Sequence, residues 1–265
     1  IRLFPHNFEN QDVLQYELLI TNNPEVNFST DYHGNRVGNF NTLEAHAEMT
    51  IESRMLVRVN HSLKIPDFEH SYVNDLATEK EKNINLLRLC YPETITKQEA
   101  ILDILNEIGC ENKTIIEIAQ QCNNYIFKHF TYTKGITNIE TTVDEILDHK
   151  KGVCQDFAHV LLQLVRTVGI PARYVSGYIC PNESGLRGEG ATHAWVEIYT
   201  PNQGWLGIDP TNNIWTMDNH VKLAVGRNFI DCTPVKGTFK GLAKQTLSVC
   251  VSIGYEDGRH FEEIN

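Results

Sequence analysis

Residues 151–171 read KGVCQDFAHVLLQLVRTVGIP, and the rest of the chain is arranged about them. From Phe157 to Val168 the apolar residues Phe157, Ala158, Val160, Leu161, Leu162, Leu164, Val165 and Val168 cover nearly the whole circumference of a helix. That is the pattern of a helix buried on all sides, not of one with a single apolar stripe. Gly169 supplies a left-handed stop, Pro171 prevents continuation, and Gly152 lets the backbone turn tightly into the first turn. Cys154 falls in that first turn, where unpaired backbone N–H groups and the positive end of the helix dipole favour an anionic sulfur. The segment predicts a central helix with a nucleophile at its mouth.

The 265 residues are enough for one large domain or two modest ones. Lys plus Arg number 23 against 34 Asp plus Glu, a formal net charge of -11. That balance argues against a surface for nucleic-acid phosphates or anionic lipid, so neither nucleic acid nor membrane is expected as a partner. No apolar run approaches the roughly 20 residues that span a bilayer. The 7 cysteines are widely spread, with no C-x-x-C pair, which points away from a disulfide framework or zinc knuckle and towards a reducing, cytoplasmic setting. The sequence opens at Ile1 with no charged and then apolar leader, which is consistent with a leader removed, a leader never present, or further residues upstream. Oligomeric state is left open.

Taken in order, residues from about Leu3 to Val59 alternate as strands, with Leu14, Tyr16, Leu18 and Ile20 in one run and Ala47 to Val59 in another. Asp31 to Asn35 carries turn chemistry between them. This small β module, residues 1–62, reads as a packing partner because nothing in it clusters nucleophile, base and donor. Residues 63–265 form the second unit, with connecting helices over 63–112. Ala100 to Leu105 belongs to a helix ending near Gly109, and Thr114/Glu117 and Thr142/Glu145 are capping boxes that open two further helices. Cys122, on the apolar stripe of the first of these, reads as core. After Pro171 the period changes to that of strands, at Ala172–Ile179, His193–Tyr199, Gly204–Asp209, about Lys222–Asn228 and Thr246–Tyr255. Helices followed by an antiparallel sheet make an α+β architecture. The Gly-rich loop between Cys180 and Ala191 reads as an exposed lid or rim.

A thiol nucleophile needs an imidazole to ionise it and a third group to orient that imidazole. His159 cannot serve, since five residues beyond Cys154 it lies roughly 140° around the helix. His193 shares one strand face with Trp195, Glu197 and Tyr199, and a hairpin loop at Thr200 to Gly204 gives an even register sum. Asp209 then lands on the same face as a diagonal neighbour of His193, roughly 7–8 Å away at Cα. A Cys/His/Asp metal site is the competing reading; it offers one cysteine and no close second ligand, so no metal and no cofactor are expected.

GVCQDFAHVLLQLVRTVGIPARYVSGY followed by THAWVEIYTPNQGWLGIDPTNN resembles the bacterial transglutaminase-like superfamily, also described as transglutaminase-like cysteine peptidases, over about residues 114–215. The stretch HVKLAVGRNFIDCTPVKGTFKG resembles the continuation of those proteins, and TDYHGNRV with the preceding strands their N-terminal β region. The resemblance puts Leu3-Phe4-Pro5 partway into that region, implying an initial strand upstream of Ile1. It implies a papain-like α+β core, a central helix packed on an antiparallel sheet, preceded by a small β-sandwich-like module. Cys154 carries over as nucleophile, His193 as base and acid, and Asp209 as the residue orienting His193. The implied activity is thiol-dependent acyl transfer on a peptide or amide bond through a thioester, with a protein or peptide substrate, hydrolysis first. Amine-dependent cross-linking and an inactive peptide-binding scaffold are the alternatives. The oxyanion donors expected are the Cys154 backbone N–H and, as a candidate that also suits a core position, Tyr132. Trp195 is expected to wall the cleft, and His220 to be structural or superficial. Calcium dependence is not inferred, since no D-x-[DN]-x-[DN]-G loop is present.

Overall fold

The computed structural model describes residues 1–5, 7–8, 10–60, 70–180, 186–188, 191–241 and 244–256. In chain order these form strands β1 (Gln11–Ile20), β2 (Asn27–Thr30), β3 (Arg36–Asn39) and β4 (Ile51–Val59) and then helices α1 (Ala77–Lys82), α2 (Ile84–Arg88), α3 (Gln98–Ile108) and α4 (Ile115–His129). Next come β5 (Thr131–Tyr132), α5 (Val143–His149), β6 (Lys151–Gly152) and α6 (Cys154–Thr167). Strands β7 (Ala172–Ile179), β8 (Thr192–Thr200), β9 (Gly204–Asp209), β10 (Ile214–Trp215) and β11 (His220–Gly226) and the short helix α7 (Phe229–Cys232) follow.

The helices begin and end where their caps dictate. Thr114 and Thr142 each accept a hydrogen bond from the backbone of the glutamate three residues on, and that glutamate accepts one from the threonine backbone in return. α3 stops at Gly109, with φ 66°, and Gly169, with φ 95°, follows the end of α6. α6 is buried round its whole circumference, with Phe157, Val160, Leu161, Leu164 and Val165 wholly without solvent contact. Burying each such side chain contributes about 1.5–3 kcal/mol.

The main sheet has strand order β10-β9-β8-β7-β11, antiparallel throughout. Ala194, Val196 and Ile198 of β8 share one core with α6 and with residues of α3, α4 and α5. Val196 pairs with Ile208 and Glu197 with Gly207, the even register that the hairpin loop predicts. Trp195 and Glu197, on the other face of β8, therefore point away from α6. There Trp195 packs with Val175, Val225 and Phe8. Glu197 accepts from Arg173 at 2.6 Å and from Lys222. Burial pushes the Glu197 carboxyl up, and the two cations outweigh it, holding it down to about 2.

The N-terminal strands pair as two ribbons, β1 with β4 and β2 with β3, and the Phe4 ring joins them, 5.1 Å from Tyr16 and 4.8 Å from Phe28. Two side-chain amides dock this module on the edge strand β11. Gln11 bonds both N–H and C=O of Lys222 at 2.8 Å, and Asn35 bonds those of Val225 at 2.8 and 2.7 Å. Each amide thus satisfies a donor and an acceptor that an open edge would expose.

Three expectations change. Thr246–Tyr255 does not form a strand, and Leu247 and Val249 are exposed. Alternation yields a strand only where a ladder partner is available, and the β11 edge is occupied by Gln11 and Asn35. Ala47 and Met49 precede β4 instead of belonging to it, and β11 begins two residues earlier than its apolar pattern suggests, at His220. Of the expected lid, residues 181–185 and 189–190 lie outside the described residues.

Candidate active site

Cys154 is the first residue of α6, with Val153 as N-cap. The helix entry is set by Asp156, whose Oδ2 accepts the Val153 N–H at 2.7 Å and the Thr137 hydroxyl at 2.6 Å. Burial raises the Asp156 pKa against the lowering effect of those bonds. Gly152 has no positive φ, and the reason for glycine is space, not turning freedom: a Cβ there would lie 2.5 Å from Asp156 Oδ2. An acid at the third helical position was the legible signal for Asp156.

Cys154 is 9% exposed, and its Sγ lies 4.0 Å from the carbonyl oxygen of Thr192, the residue before His193. His193 is buried and its Nε2 meets Asp209 Oδ2 at 2.8 Å. Its Nδ1 has no partner at full hydrogen-bond geometry among the described residues, and the Cys154 side chain interacts with the ring as a looser one. Burial would lower the His193 pKa, but the Asp209 charge and hydrogen bond, with Cys154 adding, reverse this and raise it. That favours the imidazolium. Burial likewise pushes the Asp209 carboxyl up, and the His193 charge with the surrounding hydrogen bonds holds it well below the usual carboxylate range. Asp209 is fully buried and well supplied: Oδ1 accepts from Thr211 N at 2.8 Å, and Oδ2 also accepts from Asn212 Nδ2 at 2.8 Å. Asn212 in turn bonds the backbone of Arg187, donating to its carbonyl and accepting from its N–H. Beside Arg187, Gly188, with φ +89°, lies against the imidazole, where a Cβ would be 2.5 Å from His193 Nδ1.

Tyr132 sits opposite Gly152 in the parallel pair β5–β6, two residues from Cys154, and its ring stands edge-on to Phe157 at 6.3 Å. Trp195 is 2% exposed and does not wall an open cleft. It stacks near His193 at 6.2 Å and meets His220 edge-on at 5.2 Å, bracing both rings from the sheet side, because strand alternation turns it away from α6 and under the N-terminal module. His220 takes the first of its two expected places, structural and not superficial: it is buried, with Nε2 3.5 Å from Asp209 Oδ2. His159 accepts from Phe229 N at 3.2 Å, and burial lowers its pKa to about 4, which makes it a structural histidine as its helix position predicts. Cys122 is core, and burial raises its pKa.

His193, Asp209 and His220 present ligand atoms all within 4.8 Å of one another, a set that could hold a divalent ion. An ion there would have to displace the 2.8 Å hydrogen bond between His193 and Asp209.

Residues 103–210 match the model of the transglutaminase-like superfamily, and residues 1–58 that of the bacterial transglutaminase-like N-terminal region. An uncharacterised protein of Mycobacterium leprae is 30% identical over 228 residues, covering 84% of this chain and 79% of its own. One from Mycobacterium tuberculosis is 30% identical over 256 residues, with 89% and 79% covered. The protein-glutamine gamma-glutamyltransferase of Pseudomonas aeruginosa is 30% identical over 123 residues, 44% of this chain and 18% of that enzyme. Among solved structures, a candidate cysteine protease from Cytophaga hutchinsonii superposes with TM-score 0.67 at 21% identity over 87% of this chain and 76% of its own. That likeness supports the mixed helix and antiparallel-sheet fold.

Proposed function

Because the chain belongs to the transglutaminase-like superfamily, we propose that it is a thiol-dependent acyl-transfer enzyme acting on peptide or amide bonds, and first of all a hydrolase. One observation carries the reading: a buried imidazole with Asp209 on Nε2 at 2.8 Å and the Cys154 thiol as its other neighbour. In the proposed reaction His193 Nδ1 already holds the proton taken from the Cys154 thiol, and the sulfur attacks the carbonyl carbon. A carbon–sulfur bond forms, the carbon–nitrogen bond breaks, and His193 protonates the departing amine. Water then attacks the thioester with His193 accepting its proton, and the sulfur leaves as the thiolate. The oxyanion is assigned to the Cys154 backbone N–H, in the first turn of α6 where a helix leaves its N–H groups without intrahelical partners, with the Tyr132 hydroxyl as the candidate second donor.

Hydrolysis is placed first because water needs no second substrate pocket. The relationship to a gamma-glutamyltransferase favours amine transfer as the second reading. Alkylation by iodoacetamide tests the enzyme reading against a scaffold that keeps the residues without using them. Cys154 should react at neutral pH faster than the exposed Cys250 although it is itself buried, and equal or slower reaction would contradict the proposal. On an active preparation, incorporation of an added primary amine into product separates transfer from hydrolysis.

A further inference from the structure

β11 brings a second histidine to the catalytic carboxylate, and the acyl transfer described above makes no use of it. His220 Nε2 lies 3.5 Å from Asp209 Oδ2, and its ring is 6.3 Å from that of His193. In the sheet order β7 intervenes, but Gly177 stands opposite His193 there and leaves no side chain in the way. The space is tightly used, since a Cβ on Gly177 would be 2.1 Å from the Val221 carbonyl oxygen and 2.6 Å from the Trp195 ring.

The contacts of the other ring nitrogen locate the His220 proton. Nδ1 is 3.2 Å from the Met217 backbone nitrogen and 2.9 Å from Asn219 Oδ1. The Met217 N–H can only donate. If it donates to Nδ1, a neutral ring carries its proton on Nε2, facing Asp209. If instead Nδ1–H donates to Asn219, a bare Nε2 would aim its lone pair at a buried anionic oxygen, and protonating both nitrogens removes that repulsion. Either resolution puts an N–H on Nε2 towards the carboxylate.

We propose that His220 is a positioning residue that, through Nε2–H, keeps the Asp209 carboxylate aimed at His193 and anionic while His193 gains and loses its proton. The claim rests on the reading of Cys154, His193 and Asp209 as nucleophile, base and orienting acid. When His193 hands its proton to the leaving amine, Asp209 loses its nearest cation while its own side chain has no solvent contact. A buried anion stripped of a partner is costly, and His220 is a donor that does not cycle with the chemistry. Against burial, which raises the Asp209 pKa, His193 and then His220 are the groups that hold it down.

The test compares two amides. The nitrogen of a glutamine reaches about as far as Nε2, and that of an asparagine about as far as Nδ1. The alkylation rate of Cys154 by iodoacetamide at neutral pH, referenced to Cys250, should stay within about threefold in His220→Gln and fall about tenfold in His220→Asn, the loss of one N–H donor facing the buried carboxylate at 3.5 Å. Equal rates in the two variants overturn the proposal. On the unmutated protein, the nitrogen-15 shift of His220 Nε2 should be that of a protonated ring nitrogen, and a bare-nitrogen shift overturns it without any variant. A wild-type Cys154 no faster than Cys250 would instead overturn the triad reading itself, which makes the two failures distinguishable.

Discussion

Asp209→Asn should separate the chemistry from the fold. The carboxylate accepts from a backbone N–H at Oδ1, 2.8 Å from Thr211 N, and from side chains at Oδ2, where His193 Nε2 and Asn212 Nδ2 each lie 2.8 Å away. An asparagine must place its NH2 on one side. On the Oδ1 side it meets the Thr211 N–H, a donor that cannot become an acceptor. On the Oδ2 side it meets an imidazole that can, by moving its proton to Nδ1. That arrangement turns the Asn212 Nδ2–H away as well and puts a hydrogen on the nitrogen that has to take the thiol proton, while the first leaves His193 without an anionic partner, so either one weakens the base. The same swap in a Ser-His-Asp triad costs about 10⁴ in turnover, and a loss of about 10³–10⁴ is expected here. With its acid gone His193 reverts to the neutral form, so no stranded charge remains. The stability cost should be about 1–2 kcal/mol, below the 3–5 kcal/mol of an uncompensated buried ion. Carbamidomethylation of Cys154 at pH 7, quantified by peptide mass spectrometry with Cys250 as internal reference, reads the effect without knowledge of the substrate. At least about a tenfold fall is expected with the melting transition retained. An Asp209→Asn protein that alkylates Cys154 at the wild-type rate would refute the claim that Asp209 sets the tautomer of His193.

The pH dependence of stability follows from the same pair. The His193 pKa is raised in the folded state above its ordinary 6.5, so its contribution is complete below 6.5 and is lost as pH rises through the folded value; Asp209, lowered, contributes above 3.8 and is lost as pH falls below it. Urea midpoints from pH 6 to 9 should therefore decline more steeply in wild type than in Asp209→Asn, and parallel slopes would exclude the ion pair. Asp156→Ala leaves the Val153 N–H and the Thr137 hydroxyl without an acceptor and should cost about 2–3 kcal/mol, read as a lower melting temperature with faster proteolysis at residues 133–142. Gly177→Ala drives a methyl to 2.1 Å from the Val221 carbonyl oxygen and should cost about 1–3 kcal/mol in urea unfolding, whereas Gly237→Ala, with nothing within 4 Å, should leave the midpoint unchanged. Cys154→Ala should abolish turnover while the melting temperature is retained, and residual turnover in that variant would remove the mechanism.

Much of this protein is legible residue by residue. The all-round apolar pattern of 157–168, the two Thr-x-x-Glu boxes, the glycine stops and the even register of the β8–β9 hairpin are local, because helix period, capping and strand alternation act over a few residues of chain. They suffice to put Cys154 at a helix start and His193 beside Asp209. Tertiary structure alone decided what surrounds that pair. His220 reaches Asp209 past a strand in which Gly177 leaves room, Asn212 links the carboxylate to the backbone of Arg187, and Gly188 lies against the imidazole. It also decided that Thr246–Tyr255 stays out of the sheet, because Gln11 and Asn35, from the other end of the chain, already occupy the edge it would need. These outcomes depend on which distant segments compete for the same few ångströms of space and the same unpaired backbone groups, and no periodicity along the chain carries that information.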